Sequence, residues 1–153
     1  MASTVTYLLT RADVKKALPM ADAVRAVEAA FVAYGEGRAQ MPPKSYLRFE
    51  RGDLRCMPAY LADVGLAAVK NVNVHPLNDE LPTVMATVTV FEPDTGFPLA
   101  IMDGTYLTAM RTGAAGGIAA KYLARRDSTV ACFVGAGRQA ATQLAALMTT
   151  MPN

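Results

Sequence analysis

The spacing of apolar positions changes repeatedly along the chain, and each change marks an element. Val5–Leu9 is an apolar run of strand length. Thr10, with Asp13 three residues on, has the spacing of a capping box and predicts a helix over Arg11–Leu18. Val24, Val27, Phe31 and Tyr34 recur at helical spacing. They predict a second helix from about Ala21 to Tyr34, with one apolar stripe, ended by Gly35 and Gly37. Strands are expected at Ser45–Phe49 and Leu54–Tyr60, joined by the turn Glu50-Arg51-Gly52-Asp53. Leu66–Val74 and Thr83–Phe91 are rich in Val and Thr and read as strands around the loop His75–Asp79. Pro93-Asp94-Thr95-Gly96 is a turn, and Pro98–Met102 resumes as a strand.

The pattern then shifts. Thr105–Ala124 is rich in Ala and Gly and reads as a helix, with Gly113, Gly116 and Gly117 near its middle. A glycine there costs about 1 kcal/mol relative to alanine, so close approach of another backbone or a ligand is the expected benefit. Thr129–Val134 reads as a buried strand and Gln139–Thr149 as a helix. The expected fold class is α/β. An α+β layer with a mostly antiparallel sheet occupies residues 1–124, and the first β–α unit of a Rossmann fold occupies 125–153.

Between that last strand and helix lies Gly135-Ala136-Gly137-Arg138-Gln139-Ala140, a G-x-G-x-x-A turn. Gly135 permits the tight turn, Gly137 lets a diphosphate approach the backbone, and Ala140 lets the helix pack closely on the strand. The helix N-terminus offers unpaired N–H groups and a positive dipole end, and Arg138 can add a charged contact. The bland alternative is a tight β–α turn without a ligand. The acidic residue expected about 20 residues beyond such a motif, at the ribose, falls past Asn153.

Composition narrows the classes. The chain has 153 residues, 52% hydrophobic and 18% charged, and a net charge of +2 that argues against nucleic acid or an anionic membrane as partner. Cys56 and Cys132 lie far apart in apolar runs and read as small buried residues rather than a disulfide framework. His75 alone leaves too few nitrogen ligands for an ordinary zinc site, so no metal is expected. Neither a signal peptide nor an apolar run of membrane-spanning length is visible, and the default location is the cytoplasm.

No paired carboxylates or nucleophile–base pattern stands out. Instead, basic residues sit in apolar surroundings: Lys44 after Met41-Pro42-Pro43, Arg55 before Cys56-Met57, Lys70 after Ala67-Ala68-Val69, and Arg111 after Leu107-Thr108-Ala109-Met110. A buried cation needs a partner or a bound anion. Arginine can hold a carboxylate with two hydrogen bonds, and a desolvated lysine can exchange protons near neutral pH. The alternative is that alternation along each strand sends these side chains to solvent. Met20, Met102 and Met110 read as core filler, and His75 as a loop-ordering residue.

The segments QMPPKSYLRFERGDLRCMPAYL, VKNVNVHP, LPTVMATVTVFEPDTGFPLAIMDGTYLTAMRTGAAGGIAAKYLARRDS and VACFVGAGRQA resemble the ornithine cyclodeaminase/mu-crystallin family, from about Tyr7 to Thr149. Together they are most similar to its archaeal-type alanine dehydrogenase branch. The resemblance implies an N-terminal substrate-binding and dimerisation domain, a Rossmann domain, and NAD as cofactor with NADP left open. It implies oxidation of an amino acid, alanine to pyruvate and ammonia. The alternatives are ornithine cyclodeamination to proline, ketimine reduction, or a non-catalytic cofactor- and ligand-binding role. It also implies that Lys70 is the catalytic lysine, that Arg55, Lys70, Arg111 and Lys44 meet the substrate, and that Arg111, Thr112, Gly135, Ala136, Gly137, Arg138 and Gln139 meet the cofactor. Lys44 stands where ornithine cyclodeaminases carry an arginine, which favours an alanine-type pocket. The family's catalytic aspartate belongs to a later part of the Rossmann domain, so the 153 residues alone are expected to be an inactive N-terminal part.

Overall fold

A computed structural model describes residues 5–151. In chain order its elements are β1 (Tyr7–Leu9), α1 (Arg11–Ala17), α2 (Met20–Gly35), β2 (Ala39–Gln40), β3 (Ser45–Phe49), β4 (Gly52–Leu61), β5 (Leu66–Val74), β6 (Val84–Phe91), β7 (Pro98–Asp103), α3 (Gly104–Leu123) and α4 (Arg138–Thr150). The expected elements up to α3 are present, with ends moved by one or two residues, and the short β2 is an addition. The capping box forms in full. Thr10 Oγ1 accepts the Asp13 N–H, and the Asp13 carboxylate accepts the Thr10 N–H at 2.8 Å.

The strands make one sheet in the order β1-β7-β6-β5-β4-β2, with β3 also on β4. Every pairing is antiparallel except β1 with β7. Register places Met57 opposite Lys70, Lys70 opposite Val88, and Val72 opposite Ala86, so all five lie on one face. The fully buried strand residues Val72, Ala86 and Val88 are all on that face. α3 lies against it, and the Thr105 hydroxyl accepts the Ala86 N–H at 3.0 Å.

The helices share a second core of Ala23, Val24, Met110, Ala114, Ile118 and Ala146, with Leu18, Met20 and Val27 packed around it. The glycines of α3 serve the close approach of α4. A Cβ on Gly113 would come within 2.5 Å of the Thr142 carbonyl oxygen, and one on Gly117 within 2.8 Å of the Ala146 Cβ. Thr150 Oγ1 also donates to the Gly117 carbonyl at 3.0 Å. No helix among the described residues is long and apolar enough to cross a membrane.

Three expectations need correction. The α2 stripe holds for Val24 and Val27, but Phe31 and Tyr34 are exposed, and the last turns of α2 bury Ala33 on another face instead. Thr129–Val134 is not a strand. Val130 and Val134 are 87% and 103% exposed, and no described strand lies beside them to pair their N–H and C=O groups. Cys132 is exposed with that segment and Cys56 is half-buried, so neither is a fully buried core residue, though both are free thiols.

Candidate functional site

β5 runs through the middle of the sheet and carries Lys70 onto the helix-covered face, with Met57 and Val88 beside it. There the side chain opens into a cleft of about 700 Å³. Lys44 reaches the cleft from the Met41-Pro42-Pro43 segment ahead of β3, and Arg111 from α3, one helical turn beyond Leu107. The remaining walls are largely apolar, including Met57, Leu107 and Val88, and no acidic side chain lines the cleft. Among the described residues none of the three cations forms an ion pair. Burial, reinforced by the charges of Arg111 and Lys44, pushes the Lys70 ammonium down to about 8. Three convergent cations with a partly desolvated lysine among them suit a carboxylate ligand and proton exchange on the group beside it.

Arg55 lies on the same face, two residues along β4 from Met57, but it does not line this cleft. Its guanidinium is bound to the Asp53 carboxylate, Nε to Oδ1 at 2.7 Å and Nη2 to Oδ2 at 2.9 Å. This pairing holds the Asp53 carboxyl below its ordinary range. The Tyr46 ring joins the two groups: Arg55 Cζ stands 5.5 Å from its centroid and Lys44 Nζ 5.6 Å.

The glycine turn ahead of α4 is open. Gly135 has φ +98°, a left-handed conformation that favours glycine, and a Cβ on Gly135 or Gly137 would meet nothing within 4 Å. Gly137 is the N-cap of α4 and supplies no side chain to its first N–H groups; the Ala140 N–H donates to the Gly137 carbonyl at 3.0 Å, and those of Arg138 and Gln139 stay available to an anion. A cavity of about 380 Å³ lies beside the turn, lined by Gly137, Arg138 and Gln139 and by Thr83, Thr105 and Thr108. The Thr108 hydroxyl is sealed from water and has no hydrogen-bond partner among the described residues. An open, anion-ready turn beside this cavity fits the diphosphate portion of a dinucleotide. Thr112 lines neither cavity nor cleft, and its hydroxyl donates to the Thr108 carbonyl at 2.7 Å.

Thr83, Thr105 and Thr108 were not singled out by sequence. They lie within the segment that carries the family resemblance, but in parts that read as strand edge and Ala/Gly-rich helix, and only the packing of α3 beside the α4 turn brings them together. His75 is half-buried beside Phe49, with ring centroids 6.2 Å apart, and its backbone N–H donates to the Thr83 carbonyl at 2.8 Å. These contacts order the loop, and His75 lies outside the Lys70 cleft.

The model of the ornithine cyclodeaminase/mu-crystallin family matches residues 4–152. The alanine dehydrogenase of Archaeoglobus fulgidus is 58% identical over 144 residues, which is 93% of this chain and 44% of that protein. A solved archaeal alanine dehydrogenase dimer with bound NAD superposes with a TM-score of 0.92 and 56% identity, over 95% of this chain and 45% of the other. The Thermococcus litoralis Δ1-pyrroline-2-carboxylate reductase, in complex with NADH and L-proline, gives 0.91 and 44%, over 95% of this chain and 46% of the other. The chain thus spans somewhat under half the length of these relatives.

Proposed function

The chain belongs to the ornithine cyclodeaminase/mu-crystallin family, and on that premise we propose that the protein is an NAD-dependent amino-acid oxidoreductase, an alanine dehydrogenase that converts L-alanine to pyruvate and ammonia. The observation that carries this reading is the half-buried Lys70 set between Lys44 and Arg111 in an apolar cleft. Lys44 and Arg111 hold the substrate carboxylate, and Arg55 approaches it from the adjoining position of the sheet face. Unprotonated Lys70 takes a proton from the substrate amino group during oxidation, and returns it during reduction of the imine. A nicotinamide held there would accept the hydride from the substrate α-carbon, and water would then hydrolyse the imine to pyruvate and ammonia. Gly135, Ala136, Gly137, Arg138 and Gln139 would hold its diphosphate, with Arg111 and Thr112 towards the nicotinamide end.

The lining favours alanine over ornithine. A second substrate ammonium would need a carboxylate, and among the described residues the cleft is lined by cations, apolar groups and the Tyr34 phenol. The reading divides the chain into a substrate-binding and dimerising part, 1–124, and a cofactor-binding part from 125. It takes NAD in preference to NADP, a homodimer as the working form, and the cytoplasm as the location, where free thiols such as those of Cys56 and Cys132 stay reduced.

The test is NADH formation by the intact protein with L-alanine, L-ornithine and L-proline as separate substrates. NAD-dependent oxidation of alanine to pyruvate is the expected result. Proline formed from ornithine would replace the reading with cyclodeamination. NADH formed from proline would point to a cyclic-imine reductase, and cofactor binding without turnover to a binding protein.

A further inference from the structure

Lys44 lines the substrate cleft, yet it is exposed and forms no ion pair among the described residues. A lysine is a strongly hydrated point charge on a flexible stem. The cleft's other cations, Lys70 and Arg111, repel it. Both effects favour a side chain that leaves the cleft for water. Arg55 is in the opposite position, because the Asp53 carboxylate fixes its guanidinium with bonds of 2.7 and 2.9 Å. The group that meets both cations is Tyr46. It stands two residues after Lys44 and directly opposite Arg55 in the β3–β4 register. Lys44 Nζ is 5.6 Å and Arg55 Cζ 5.5 Å from its ring centroid, within the range over which a ring face attracts a cation. Tyr46 and Arg55 line one hollow of the sheet face while Lys44 lines the Lys70 cleft, so the ring links the two.

We infer that Tyr46 is a positioning residue of the substrate site, whose ring holds the Lys44 ammonium in the cleft on the side of Arg55, so that one substrate carboxylate meets both cations. The inference rests on the reading of Lys44 and Arg55 as carboxylate-binding groups given above. It supplies what Lys44 lacks and Arg55 has in Asp53, a partner that fixes its direction. The bland role for the same ring is packing across the β3–β4 pair. A leucine could fill that role, but it has no negative face to offer a cation.

Tyr46→Leu therefore separates the two roles, and Tyr46→Phe keeps the ring while removing only the hydroxyl. In the intact protein the leucine variant should raise the KM for alanine about three- to tenfold, the size expected for the loss of one or two exposed cation–ring contacts. Its kcat, NADH affinity and thermal midpoint should stay close to those of the unsubstituted protein. Propionate, which is alanine without the amino group, reports the carboxylate site without turnover. Calorimetric titration of the NADH-loaded protein with propionate should weaken by the same factor in the leucine variant and recover in the phenylalanine variant. Should the leucine variant fail to fold, Tyr46→Met must show the same loss. A leucine or methionine variant with unchanged propionate affinity would overturn the inference and leave Tyr46 a packing residue. Equal weakening in the leucine and phenylalanine variants would overturn it as well, since the hydroxyl and not the ring face would then be responsible. So would an unsubstituted protein that binds no propionate. If propionate binding follows the expected pattern but alanine is not oxidised, the alanine reading falls and the inference stands. If alanine is oxidised with the same KM in the leucine variant, only the inference falls.

Discussion

Arg55 and Asp53 form a two-pronged ion pair at alternate positions of β4, with Nε and Nη2 of the arginine donating to the two carboxylate oxygens at 2.7 and 2.9 Å. Both side chains face the helix-covered side of the sheet, as Lys70 does. Asp53 occupies one edge of the guanidinium, and the edge formed by Nη1 and Nη2 stays free for a second carboxylate. The Tyr46 ring braces the same group. Asp53 therefore orients Arg55 while leaving one edge of its guanidinium for a second carboxylate.

Arg55→Ala is expected to raise the KM for alanine by about tenfold or more, with NADH affinity unchanged. Asp53→Asn should shift KM in the same direction by less, and Asp53→Glu should recover part of the loss. Steady-state kinetics beside NADH titration checks this. A KM untouched by Arg55→Ala would remove the arginine from substrate binding.

Lys70 predicts a pH profile. Its folded-state value of about 8 lies below its ordinary 10.5. Oxidation needs the unprotonated amine, so kcat/KM for alanine should rise with pH through about 8 and level above it. Reduction of the imine should fall over the same range. Lys44→Met removes one of the two like charges that lower the value, and should move the oxidative limb to higher pH. The same displacement acts on stability. Between about 8 and 10.5 the unfolded chain keeps a proton that the folded chain has released, so folding gains stability as pH rises across that window. The penalty is fully present below it. Lys70→Ala should lower kcat by about 10²–10⁴-fold. A flat oxidative profile, or a near-normal kcat for Lys70→Ala, would put Lys70 outside the chemistry.

The sequence carried the sheet well because strand residues alternate between two environments. Leu66–Val74 was legible from its β-branched run, and the side on which Lys70 falls follows once pairing with Met57 and Val88 is known. What periodicity does not carry is that pairing, and with it the distinction between Lys70, which opens into the cleft, and Arg55, held on Asp53 beside it. Thr129–Val134 shows a different limit. Apolar composition signals that a segment is fit for burial in a sheet, but strand geometry needs a neighbour that composition cannot supply. The cavity formed by Thr83, Thr105 and Thr108 beside the glycine turn was illegible because it depends on the packing of α3 beside the α4 turn.

The face of the sheet opposite α3 predicts self-association. The described strand residues that are fully buried all lie on the helix side. The other face carries Leu8, Leu47 and Ile101, exposed at 75%, 61% and 41%. Apolar surface on a broad sheet face is a common protein interface. Light scattering of the intact protein at micromolar concentration should give a homodimer. Ile101→Arg, placed mid-strand on that face, should shift it towards monomer while leaving the fold measured by circular dichroism unchanged. A monomeric unsubstituted protein would count against the prediction.

The glycine turn gives the sharpest separation of binding from folding. Gly135 has φ +98°, so any side chain there strains the backbone, and loss of binding could follow from misfolding alone. Gly137 differs. Its φ of −82° and ψ of −171° are extended values that valine adopts readily, and a Cβ would meet no protein atom within 4 Å. Gly137→Val should therefore leave the thermal midpoint of the cofactor-free protein close to that of the unsubstituted protein. A diphosphate seated on this turn would meet the new methyl groups, because the absence of a side chain is what lets the phosphate reach the backbone N–H groups. NADH binding should weaken by about 10²-fold or more, the order expected when a phosphate is held out of reach of its donors. Thermal unfolding and NADH titration on the same sample keep the two effects apart. A stable variant that binds NADH normally would mean that the turn only redirects the chain into α4.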